Sequence, residues 1–135
     1  MTTELNEIIV EEYKALKALF EALNEQFQYL AKRDVLRLSA ITKKIEQINK
    51  DVARFEIERR KITKGEAMSK IVRELKDKEL ENNYRSVKRL LGEIRFQKDA
   101  NEMLIRQGLG FTTQMLNFLN PDRGPKTYNS YGKRR

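Results

Sequence analysis

Few side chains in this sequence could do chemistry, and their types narrow the choices at once. The chain has no histidine and no cysteine. Histidine titrates nearest neutrality and is the commonest metal ligand, so most catalytic triads, zinc sites and proton relays are excluded. The lack of cysteine removes disulfides, thiolate nucleophiles and cysteine-held metals. What remains is carboxylate chemistry. Glu11 and Glu12 are adjacent, and Glu56 and Glu58 lie two apart. Two carboxylates catalyse together only when they converge on one cavity, whereas neighbours one or two residues apart diverge on a helix surface. Both pairs therefore read as solvated faces. The expectation is a protein that is not an enzyme and holds neither metal nor cofactor.

The formal net charge is +8, which raises nucleic acid as a partner. Residues 121–135 hold five basic side chains against Asp122, a net +4, and the other 120 residues hold 23 basic and 19 acidic ones. Along the chain the two signs interleave, as in Arg73-Glu74-Leu75-Lys76-Asp77-Lys78-Glu79. Such interleaving marks a solvated, salt-bridged helix face more than a track for phosphates. Arg59-Arg60-Lys61 and Lys133-Arg134-Arg135 are short basic runs with no reading helix or stacking platform beside them. Nucleic acid is the weaker reading.

These residues are carried on helices. The composition is 36% charged and 39% hydrophobic, with two prolines and six glycines, a profile of long helices and a narrow apolar seam. From about Thr3 to Ala31, Ile9, Leu16, Leu23 and Leu30 recur every seven residues, and Tyr13, Phe20 and Phe27 repeat at the same interval. Together they form one apolar band that must be packed against other helices. Asp34 suits the N-cap of a second helix, 34–62. There Leu38, Ile45 and Val52 fill one heptad position, and Ile41, Ile48, Phe55 and Ile62 fill another, the pattern of a coiled-coil seam. So short a link makes the pair an antiparallel hairpin. Thr63 and Glu66 have capping-box spacing, and Gly65 supplies a turn.

A third periodic stretch, about 67–119, would be roughly 78 Å long as one helix, far longer than the hairpin. Its candidate breaks are Gly92 and the pair Gly108 and Gly110. Within it Asn101 falls in line with Val87 and Ile94, where an apolar residue is expected. Either it is a buried polar group that fixes register, or it faces a partner. The fold expected is all-α: an elongated antiparallel bundle as a single domain, 1–120, with a basic tail, 121–135, that lacks periodicity and is expected to be disordered.

The end of the third stretch carries the strongest functional signal. Leu104, Ile105, Leu109, Phe111, Met115, Leu116, Phe118 and Leu119 crowd one short segment. Methionine and phenylalanine at helical spacing suit adaptable packing against another helix. The segment is expected to bind a partner. Tyr128 and Tyr131 stand out in the polar tail as candidate docking points. No run approaches the ~18 apolar residues of a membrane span, and the first residues have no signal-peptide pattern. A cytoplasmic location without membrane insertion is expected.

The order of these features resembles the FlgN family of flagellar export chaperones. The resemblance rests on Tyr13-x-x-Leu16, on the helix that begins at Asp34 and ends in Glu56-x-x-Arg59, and on Asn101-x-x-Leu104-Ile105. It extends to Leu109-x-Phe111 and then Thr127-Tyr128 with Gly132. It implies a chaperone that binds the terminal helices of hook-associated proteins, the subunits of the hook–filament junction, and prevents their early assembly. It further implies delivery to the flagellar type III export apparatus, including its gate component. By that analogy Leu104 to Leu119 hold the cargo and Tyr128 or Tyr131 meets the export machinery. The other readings are a coiled-coil scaffold or adaptor, and a basic helical nucleic-acid-binding protein.

Overall fold

The computed structural model describes residues 2–107. Their elements are α1 (Thr2–Lys32), α2 (Val35–Thr63), α3 (Met68–Leu75) and α4 (Lys78–Arg106). The heptad series Ile9, Leu16, Leu23 and Leu30 is buried throughout, and so is a parallel series, Leu5, Glu12, Leu19 and Gln26. Tyr13, Phe20 and Phe27 lie at the edge of this band and are half-buried. The band is wide because α1 packs against both α2 and α4, whereas α2 and α4 hardly approach each other.

Cross-helix pairs give the directions. Glu12 meets Arg59 and Leu30 clusters with Leu38, so α2 runs antiparallel to α1. Asn6 meets Asn83, Leu23 meets Asn101 and Leu30 clusters with Ile105, so α4 runs parallel to α1 at a nearly constant offset. The α2 hairpin arm thus carries the chain back before α4 retraces the path of α1. The core joins these helices through Leu16, Ile41, Ile48, Leu80 and Val87, while Ile45, Val52 and Phe55 of α2 are only partly covered.

The helix ends follow from local chemistry. Arg33 takes a left-handed conformation, φ 55°, and Asp34 N–H donates to the carbonyl of Tyr29 at 3.0 Å. The Asp34 carboxylate then accepts from Arg37 N–H at 3.2 Å, the cap expected of it. At the far end of α2, Lys64 and Gly65 both have positive φ, and both N–H groups donate to Arg60 O. Two successive positive-φ residues close the helix as a C-terminal cap. The capping box of Thr63 and Glu66 does not form. Thr63 closes α2 with its hydroxyl on Arg60 O, and Ala67 is the residue that precedes α3.

The long third helix of 67–119 is also corrected. It breaks at Lys76, whose φ of 52° ends α3, and at Asp77, whose carboxylate caps α4 by accepting from Leu80 N–H at 3.1 Å. Gly92 is no break: α4 runs through it, and a Cβ added there would meet nothing within 4 Å. Gly108 and Gly110 lie outside the described residues. The joint at Lys76-Asp77 lets α3 turn Met68, Ile71 and Val72 into the core as a cover for one end of the bundle. With space for a methyl group and a helical backbone, Gly92→Ala is expected to raise stability by about 1 kcal/mol in urea unfolding. An unchanged or lowered midpoint would show that position 92 bends after all.

Candidate functional site

Of the stretch singled out for partner binding, Leu104 and Ile105 lie on α4 within the described bundle. Leu104 is half-buried. Ile105 is buried and closes a small apolar cluster with Leu30 and Leu38 at the hairpin-turn end. Leu109, Phe111, Met115, Leu116, Phe118 and Leu119 lie outside the described residues, as do Tyr128 and Tyr131. At this same end the bundle shows apolar side chains to solvent: Met103 is 60% exposed and Leu36 is 84% exposed. Phe96, seven residues before Met103, is 77% exposed. The sequence reading passed over these three, although Phe96 and Met103 share one heptad position on α4.

Asn101 resolves as the buried polar alternative. Its amide donates to Leu23 O at 2.9 Å and to Gln26 Oε1 at 2.8 Å, and its oxygen accepts from Gln97 Nε2 at 2.9 Å. A buried amide with its groups engaged costs little, while one displaced along the seam would lose them all. Asn101 therefore fixes the sliding position of α4 on α1. Asn83 Nδ2 donates to Asn6 Oδ1 at 2.9 Å and does the same nearer the start of α1.

The carboxylate pairs part company in three dimensions. Glu11 is exposed, as expected. Glu12 is not: it sits within the buried band and takes the Arg59 guanidinium, whose Nε donates to its two oxygens at 3.1 and 3.4 Å. The solvated reading fails for Glu12 because it occupies the same heptad position as Leu5 and Leu19. Burial pushes its carboxyl above the ordinary value, more than Arg59 pulls it down, and Glu56 adds to the rise. Glu56 instead pairs with Arg60 at 2.6 Å on the α2 surface. The two arginines of the basic run are thus committed to glutamates.

Among the described residues no group of three or more acidic or metal-binding side chains could hold a metal ion. No described helix is long and apolar enough to cross a membrane. The family model described as FlgN protein matches residues 1–135. Neither a curated protein nor a solved structure matches the chain.

Arg59→Met leaves the buried Glu12 carboxylate without its partner and is expected to cost about 3 kcal/mol near neutral pH. A carboxylate whose pKa is raised by folding is penalised in full above the folded value, and the penalty shrinks as pH falls from there to the ordinary value of the unfolded chain. The stability gap between Arg59→Met and the parent should therefore narrow as pH falls from neutrality toward the ordinary carboxylate range. A gap of constant size in urea unfolding would contradict this account of Glu12.

Proposed function

The chain belongs to the FlgN family of flagellar export chaperones, and from that membership we propose that it binds the terminal helices of hook-associated proteins in the cytoplasm. By covering them it keeps junction subunits from assembling early and delivers them to the flagellar type III export apparatus. The observation that carries this reading is the family match over residues 1–135. The family is one of chaperones and not of enzymes, which agrees with a chain without histidine or cysteine.

The cargo segment proposed is Leu104, Ile105, Leu109, Phe111, Met115, Leu116, Phe118 and Leu119. Two features of the bundle support it. At the hairpin-turn end Ile105 packs with Leu30 and Leu38, so the proposed segment begins on the bundle's own core. Exposed Met103 and Leu36 present apolar surface at the end of the bundle where α4 ends. In this arrangement Ile105 anchors the segment to the bundle, and the residues from Leu109 onward meet cargo.

A cargo helix with an apolar stripe gains by burying that stripe. About 1,000 Å² of apolar area corresponds to a gross ~25 kcal/mol, most of it offset by the cost of ordering and association. Binding can thus be specific and still reversible, which export requires. Tyr128 and Tyr131 are proposed to dock on the export gate component.

Phe111→Asp or Phe118→Asp should weaken binding of a hook-associated protein by at least about tenfold in calorimetry, since each buries a charge in an apolar contact. Circular dichroism should remain that of the helical parent. Unchanged affinity in both variants would reject this placement of the cargo site.

A further inference from the structure

Phe96 and Met103 of α4 are largely exposed, and neither belongs to an apolar cluster of the bundle. Each stands two positions beyond a buried residue, Ile94 and Asn101. That offset turns them about 200° around the helix, onto the face directed away from the core. A lone exposed apolar side chain is ordinary, but these two are one heptad apart. Gly92 and Asp99 occupy the alternate positions of the same line, so the steps from 92 to 103 are four, three and four. That is one half of a coiled-coil seam.

The sequence that follows supplies the other half. Residues 107–121 are the longest uncharged run in a chain that is 36% charged, and within them Phe111, Met115 and Phe118 are spaced by four and then three. From Met103 back through Asp99 to Phe96 the spacing is also four and then three. Laid antiparallel on α4, the run therefore sets Phe111 on Met103, Met115 on Asp99 and Phe118 on Phe96, all in one register. Residues 107–110 are left for the reversal, a usual length for a link between antiparallel helices. Gly108 and Gly110 are among them, and glycine takes the backbone conformations that such a turn requires.

We propose that residues 111–119 dock antiparallel on the outer face of α4 when no cargo is bound, and that a cargo helix must displace them. The competition rests on the cargo-segment reading above; the docking rests on the matched spacing, the short link and the exposed stripe. Tethering favours this occupant over a second copy of the chain. A short link holds the segment at roughly millimolar effective concentration, whereas a second copy pays the full cost of association. A second copy would also bring a charged helix against the charged flanks of α4, while residues 107–121 have no charge to desolvate there. Asp99 is the weak layer of the seam, because covering its carboxylate costs free energy. The closure is accordingly one that cargo can open, and until then it covers the apolar residues that cargo uses.

The chain has no cysteine, so a substituted pair reports the docking directly. Asp99→Cys with Met115→Cys in the full chain should close an intramolecular disulfide in glutathione buffer, read by mass spectrometry. Were α4 to run on straight, the two Cα atoms would stand about 24 Å apart, far beyond the roughly 7 Å that a disulfide spans. Lys98→Cys with Met115→Cys should not close, since Lys98 is exposed on the other side of α4. Phe96→Ser, at an exposed position, should tighten binding of a hook-associated protein at least about threefold. The closed disulfide should weaken that binding at least about tenfold, and reduction should restore it. No disulfide, a disulfide between two chains, or equal closure of the Lys98 pair overturns the docking. Cargo affinity that ignores either change overturns the competition. If Phe111→Asp leaves cargo binding intact while the disulfide still forms, the cargo reading fails and the docking is upheld.

Discussion

Helix α1 is the element on which the other two long helices depend. Both α2 and α4 pack on it, and they hardly touch each other. The apolar residues of α1 supply the attraction, which is indifferent to sliding because leucine packs against leucine at many registers. Its buried polar residues supply the register. Asn6 finds Asn83, Glu12 finds Arg59, and Gln26 finds Asn101. Each pairing satisfies a group that would be costly to bury alone, and each sets one helix against another at a defined height.

With that register set, the two ends of the bundle become unlike. At one end a turn ordered by Asp34 holds Leu30 and Leu38 together, and the end of α4 arrives to close the cluster with Ile105. The chain then continues into the apolar residues assigned to cargo. At the other end the joint at Lys76-Asp77 folds α3 over the core and leaves a cleft beside it.

Much of this architecture was legible in the sequence because heptad spacing encodes it directly. Ile9, Leu16, Leu23 and Leu30 gave α1, and Leu38, Ile41 and Ile48 gave the face of α2. Asp34 marked the boundary. What was missed was local and polar. The break before α4 was sought at glycines, although Asp77 three residues ahead of Leu80 carries the same capping signal as Asp34 before Arg37. Glu12 looked solvated beside Glu11, yet its sevenfold spacing from Leu5 and Leu19 placed it inside. The cleft beside α3 joins residues from all four described helices, so no linear pattern announced it. Of the cargo site, Leu104 and Ile105 alone fall within the described residues.

Hydrogen exchange of the full chain, with and without a hook-associated protein, tests the central claim most directly. Protection is expected to appear across residues 104–119, with the exchange of α1 amides around Leu16 and Leu23 unchanged because that seam is already closed. New protection spread along α1 and α2, with none beyond residue 107, would contradict it.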